Sequence, residues 1–176
     1  MKKLFSEIPL IKGTTVTLEK LRSAKDLGAI AKDEPVYRYL PAFLEERQTD
    51  DMDKALARIY SPVFENRESL FLGIYQAGRF CGIGELYGYR DPAHKVSLGY
   101  RLLSRCWGRG IATEAVGLMV DYLYSETDIE IITASTMIEN KASARVLQKN
   151  DFIMTVHDVG EDWGYSEPTA TDKWFR

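Results

Sequence analysis

Cysteine and histidine are nearly missing from this chain: in 176 residues only Cys81, Cys106, His94 and His157 occur. None of the four stands at metal-ligand spacing from another, so neither a zinc site nor a disulfide framework is expected, and no other metal site is indicated. Two reduced thiols fit a cytoplasmic chain. Long hydrophobic runs are missing too: no stretch approaches the about 18 apolar residues of a membrane span. The opening "MKKLFSEIPLIKG" is basic at its start, but Glu7 and Pro9 break its apolar run, so no leader and no membrane partner is expected. Nor is there an excess of positive charge. The 23 Lys and Arg are outnumbered by 26 Asp and Glu, net −3, which argues against nucleic acid as a partner. Repeats at solenoid periods and low-complexity tracts are likewise lacking.

What remains is a globular composition, 45% hydrophobic and 28% charged. A chain of 176 residues suffices for one domain, expected over 1–176, with a core burying about two thirds of its unfolded surface. Small molecules and proteins are the partners left open. The acids Glu45, Glu46, Asp50, Asp51 and Asp53 read as a solvated face, attraction for a cationic substrate being the alternative.

Periodicity orders the elements. "TVTLEKL" from Thr15 alternates as a strand; "SAKDLGAIAKD" follows as a helix, with Ser23 and Asp26 resembling a capping box. "EPVYRYL" interrupts, and "DDMDKALARIY" aligns Met52, Ala55 and Ile59 on a second helix expected to end before Pro62. Gly78 divides two strand-like runs between Ser69 and Tyr89, and "KVSLGYRLL" adds a third after an Asp91-Pro92 turn, which together read as an antiparallel meander. Ala112, Ala115, Val116, Met119 and Leu123 then mark a helix to about Ser125, followed by the nearly all-apolar strand "IEIITAST". Asn140 caps a short helix, "KASARVLQKN", before the last strands "FIMTVHDV" and "ATDKWFR". The class is α+β, with a parallel strand–helix–strand unit at its centre.

The segment "RCWGRGIATEA" places Gly108 and Gly110 just before that long helix. Bare backbone N–H groups at a helix N-terminus, helped by the positive end of its dipole, suit a diphosphate, and Arg109 adds a cation. A ligand-free strand–helix turn is the other reading. No Gly-Lys-Ser/Thr follows, which excludes the Walker loop. A dinucleotide fingerprint needs glycine where Thr113 stands, and the acids Asp128 and Glu130 lie at the wrong end of the following strand.

A longer pattern resembles the GNAT N-acetyltransferases, and within them the RimJ/RimL-like branch. Gly99, Tyr100, Leu102, Trp107, Gly108, Gly110, Ala112, Thr113, Glu114 and Ala115 match its "GYWL…WGKGYATEA". Asn140, Ser143, Val146, Leu147, Lys149 and Phe152 match its "N-x-x-S-x-x-V-L-x-K-x-G-F", and "EPVYRYL" its early loop. Asp151 stands where the pattern has glycine, in a turn whose left-handed conformation Asp tolerates. The resemblance covers about Thr15 to Val156. It implies a GNAT fold, a mixed and mostly antiparallel sheet of about seven strands with about four helices on both faces.

The resemblance further implies acetyl-CoA as co-substrate, held by Tyr100, Leu102, Leu103, Trp107, Gly108, Arg109, Gly110, Ile111, Ala112, Thr113 and Asn140. The backbone N–H groups of the Tyr100–Leu103 stretch would act as an oxyanion hole. It implies transfer of acetyl to a primary amine by direct attack in a ternary complex. The acceptor is a protein N-terminus, an amino acid, a polyamine or an aminoglycoside, to be told apart by loops 33–49 and 157–170. An aliphatic ammonium has a pKa near ~10, so a base is needed, and Glu85, an acid on an otherwise apolar strand face, is the candidate. Its other reading is a substrate-binding or structural salt bridge. Ser97 stands where the branch often has Glu, and Leu147 where many members have a tyrosine acid; the resemblance places Ser143 near the cofactor sulfur as one candidate proton donor to the thiolate, an ordinary first-turn helix serine being its other reading. These departures keep a second function open, an acyl-CoA-binding module or regulator without turnover. Monomer and homodimer are both open.

Overall fold

The computed structural model describes residues 1–176. In chain order the elements are β1 (Ile11–Lys12), β2 (Val16–Glu19), α1 (Ala24–Ala31), α2 (Met52–Arg58), β3 (Ser69–Gln76), β4 (Arg79–Arg90), β5 (Lys95–Leu102), α3 (Ile111–Glu126), β6 (Ile131–Met137), α4 (Lys141–Lys149), β7 (Ile153–Glu161) and β8 (Thr169–Phe175). One eight-stranded sheet runs β1-β2-β3-β4-β5-β6-β8-β7. The strand beyond the seven expected is β1, whose two residues pair with Thr17 and Leu18 and are too short to show an alternation. The meander β3-β4-β5 is antiparallel, with a two-residue turn at Ala77–Gly78. The β5–β6 pair is parallel and is crossed by α3.

Helices cover both faces. Gly84 of β4 faces α3, where a Cβ would lie 2.9 Å from Met119 Sδ, so its neighbours Ile83 and Glu85 face the other side. There α1, α2 and the segments around them pack, and Tyr60 donates to the Phe71 carbonyl at 2.9 Å. Apolar residues wrap most of α3, and Ile111, Ala115, Val116, Met119, Val120, Tyr122 and Leu123 are buried. Each large aliphatic side chain so buried contributes about 1.5–3 kcal/mol before entropy is counted. Glu114 in its first turn accepts from the N–H groups of Thr15 (2.7 Å) and Val16 (3.0 Å), which ties the start of α3 to β2.

Local signals met different fates. Asn140 caps α4 by accepting from Ser143 N–H at 3.1 Å, and Asp151 beyond its end has φ 59°. Ser23 makes no side-chain cap on α1. Its supposed partner Asp26 instead accepts a 2.6 Å bond from the Tyr75 hydroxyl, a stronger claim on the carboxylate than a frayed helix end. Asp51 does cap α2, through Lys54 N–H at 3.0 Å. The chain then does not stop before Pro62: a π-helical turn, Ile59–Val63, carries it onward with Pro62 inside. The wider turn accommodates the ring and the missing N–H that would break an α-helix.

Candidate active site

The glycine turn is built from contacts that precede it. Leu103 N–H donates to the Cys81 carbonyl at 2.8 Å, Arg105 Nη2 to the Phe80 carbonyl at 2.7 Å, and Ser104 N–H to the Asp33 carboxylate at 2.7 Å. The approach to the turn is thereby pinned to β4 and to the segment after α1. Gly108 (φ 68°) and Gly110 (φ 76°) both adopt left-handed backbone, and a Cβ on either would meet nothing within 4 Å. Conformation, together with open space on the ligand side, is what asks for glycine here. The first helical bond of α3 runs from Glu114 N–H to the Gly110 carbonyl, and the six N–H groups from Gly108 to Thr113 find no acceptor in the protein. A run of unpaired donors at the positive end of a 16-residue helix is an anion cradle. A diphosphate fits it.

Beyond the turn the sheet opens. β5 and β6 pair only from Lys95–Ser97 to Ile131–Thr133, after which Leu98–Leu102 and Ala134–Met137 diverge. A cavity of about 620 Å³ occupies the wedge and runs from the glycine turn to the other end of the cleft. It is lined by Glu85, Tyr100, Leu102, Trp107, Gly108, Arg109, Gly110, Ile111, Ala112, Thr113, Asn140 and Ser143, all named from the sequence. Leu103, also named, is buried, does not line the cavity, and spends its N–H on Cys81. The Trp107 indole donates to the Leu102 carbonyl at 3.0 Å, and the Arg109 guanidinium to Gln76 Oε1 at 2.7 Å. Tyr100 donates to Ser143 Oγ at 3.2 Å across the wedge. Ser97 bonds Thr133 Oγ1 at 2.8 Å at the last paired rung, and Leu147 is buried.

Carboxylates gather on the α1/α2 side. Glu85 Oε2 accepts from Arg101 Nη1 at 3.1 Å, and its Oε1 from Ser69 Oγ at 2.8 Å. Arg101 also donates Nε and Nη2 to the two oxygens of Glu46 at 2.6 and 2.8 Å. Glu46 is therefore not on a solvated face; it is 1% exposed, the exception among the five acids in its region. Burial pushes its pKa up, but the charge and hydrogen bonds of Arg101 outweigh this and hold it below the ordinary 4.5. Tyr37 donates to Glu46 at 3.0 Å, and burial, then that carboxylate, raises the phenol's pKa well above its usual value. Sequence reasoning missed Arg101, Glu46 and Tyr37; the one available signal was an arginine between apolar residues in "LGYRLL". Of the two loops expected to decide the acceptor, 157–170 is a loop only over 162–168, its ends belonging to β7 and β8, and there it meets the segment 33–49. Ala42 N–H donates to the Trp163 carbonyl at 2.8 Å and the Tyr165 hydroxyl to the Leu40 carbonyl at 2.5 Å, while Glu161 pairs with Lys173.

The family model described as acetyltransferase (GNAT) domain matches residues 15–153. The chain belongs to the GNAT acetyltransferases. The chain is similar to the Bacillus subtilis protein named "Probable N-acetyltransferase YjcK", 29% identical over 150 residues, covering 81% of this chain and 83% of that one. The fold is similar to that of RimL, a ribosomal L7/L12 alpha-N-protein acetyltransferase solved with coenzyme A, at a TM-score of 0.77, 14% identity, and 96% and 97% coverage of the two chains. It is similar as well to a spermidine N-acetyltransferase from Vibrio cholerae solved with CoA and spermine, at a TM-score of 0.75, 16% identity, and 93% and 96% coverage. The GNAT sheet of this chain thus has a likeness among enzymes named for protein and for polyamine acceptors.

Proposed function

We propose that this chain transfers acetyl from acetyl-CoA to a primary amine by direct attack in a ternary complex. One observation carries the reading: a single cleft is lined both by the anion cradle and by a carboxylate, Glu85. Bound acetyl-CoA supplies an activated acetyl group and a thiolate leaving group. The N–H groups from Gly108 to Thr113, with Asn140, hold its diphosphate end. Tyr100 and Leu102 line the wedge where β5 leaves β6, and backbone N–H groups there orient the acetyl carbonyl. Glu85 takes the proton of the acceptor's ammonium, directly or through water. Ser143, whose Oγ accepts from Tyr100, has its own proton free to give to the departing sulfur and takes in return the second proton shed by the adduct's nitrogen; Leu147 leaves that task to it.

The acceptor is a protein N-terminus or a small amine, the two kinds named for the RimL and spermidine enzymes. The test is direct. Incubation with acetyl-CoA and a panel of amino-terminal peptides, amino acids, polyamines and aminoglycosides, reading thiol release, should give turnover with at least one acceptor class. Coenzyme A binding by calorimetry without thiol release would leave a binding module in place of the enzyme; no binding would remove the cofactor reading as well.

A further inference from the structure

Among the buried polar groups, Arg101 and Glu46 are not called upon by the proposed reaction. Arg101 lies on β5 at 4% exposure, with its guanidinium 5.7 Å from the Phe71 ring centroid. Glu46 engages it through two hydrogen bonds, at 2.6 and 2.8 Å, and Glu85 through one, at 3.1 Å. One cation is thus shared unequally between two carboxylates, and the set carries a net charge of −1. Glu46 does not reach the cleft, and of the two members that line it Glu85 is the more open: its side chain is 15% exposed, against 3% for Arg101 and 0% for Glu46. An unbalanced charge settles where solvent reaches it, because a dry interior penalises it most.

We infer that Glu46 and Arg101 are positioning residues for Glu85. The arginine holds the Glu85 carboxylate in place, and Glu46, by taking the larger share of the guanidinium, keeps Glu85 from being neutralised. The inference rests on the reading of Glu85 as the proton acceptor. It also accounts for a polar triad where an apolar core would be simpler, since Glu46 alone would otherwise bury a carboxylate for no return. The other charged or titratable groups around Glu85 are Tyr37 and Arg47 beside Glu46, Tyr87 on β4, Glu161 on β7, and Arg38 in the same cleft. None of them forms an ion pair with Glu85.

The test reads Glu85 itself. In protein labelled with carboxyl-¹³C glutamate, the Glu85 resonance is assigned by its loss in Glu85→Gln and titrated by NMR. Glu46→Gln removes one negative charge with little change of shape, and should move the Glu85 midpoint down. Arg101→Gln removes the cation, and should move it up. Opposite shifts cannot come from general loosening of the core. Tyr37→Phe deletes a hydrogen bond to Glu46 but no charge, and should leave the midpoint in place. An unmoved midpoint in Glu46→Gln overturns the inference, as does a Tyr37→Phe shift as large as that of Glu46→Gln. If Arg101→Gln does not fold, the Glu46→Gln and Tyr37→Phe pair decides alone. In turnover, the acid limb of kcat/KM for the amine should move with each midpoint, while coenzyme A affinity stays within threefold. NMR shifts as expected in a protein that releases no thiol would uphold the charge sharing and remove the enzymatic reading of Glu85 instead.

Discussion

The Tyr100 hydroxyl donates to Ser143 Oγ at 3.2 Å, a contact that joins the middle of β5 to the first turn of α4 across the wedge between β5 and β6. Burial raises the Tyr100 pKa above 10, against the smaller opposing effect of the Ser143 bond, so the phenol is protonated and donating at neutral pH. Replacing Ser143 with Ala should lower kcat about 10² to 10⁴-fold, the usual worth of a positioned proton donor, with little change in KM for acetyl-CoA. Tyr100→Phe should act through the same contact, so the double variant should lose no more than Ser143→Ala alone. Steady-state kinetics at saturating amine check both.

Gly110 separates conformation from space. At φ 76° an Ala there costs about 1–2 kcal/mol of left-handed strain, yet its Cβ meets nothing in the protein. Gly110→Ala should therefore lower the thermal midpoint and weaken coenzyme A binding only moderately. Gly110→Glu places a carboxylate in the anion cradle and should abolish binding in a calorimetric titration. Wild-type affinity in Gly110→Glu would refute the cradle.

Glu85→Gln keeps the shape and one accepting oxygen for Arg101, turns the Ser69 contact round so that the amide donates, and cannot accept a proton. At neutral pH kcat/KM should fall about 10² to 10⁴-fold. The deficit should shrink as pH approaches the amine's own pKa near ~10, where free base is abundant without help. An unchanged pH–rate profile would clear Glu85 of that role.

Glu46 links stability to acid. Its folded pKa lies below the unfolded value near 4.5: burial raises it, but Arg101 lowers it further. The pair's contribution is thus fully present above the unfolded value and is lost as pH falls through the folded one. Urea unfolding from pH 7 to pH 3 should show stability declining below about pH 4.5, with a flatter decline in Glu46→Gln. At pH 7 Glu46→Ala leaves the Arg101 charge buried with one partner fewer, and should cost about 3–5 kcal/mol.

Legibility followed distance along the chain. The helix after Gly110, the Asn140 cap and the left-handed Asp151 all depend on neighbours within a turn, and the structure has each of them. β1, with only two residues, left no periodicity to read. Pro62 marked a helix end because the rule assumes α geometry, and a π-helical turn escapes it. The capping box at Ser23 did not form because the Asp26 N–H goes to the Ser23 carbonyl and the Asp26 carboxylate to Tyr75, 49 residues away. In the acidic stretch, Asp51 and Glu46 carry the same charge a few positions apart. One caps a helix at the surface and the other is buried against Arg101, 55 residues on.

By itself the sequence determined the order of strands and helices, the glycine turn before α3 and the GNAT resemblance, because torsional preference and apolar period are written residue by residue. Only the tertiary structure decided that β5 and β6 part after Ser97 and Thr133, that Tyr100 meets Ser143, and that Arg101 is divided between Glu46 and Glu85. Those contacts join residues distant in the chain, and their strength comes from burial, which exists only once the sheet and its helices have closed over them.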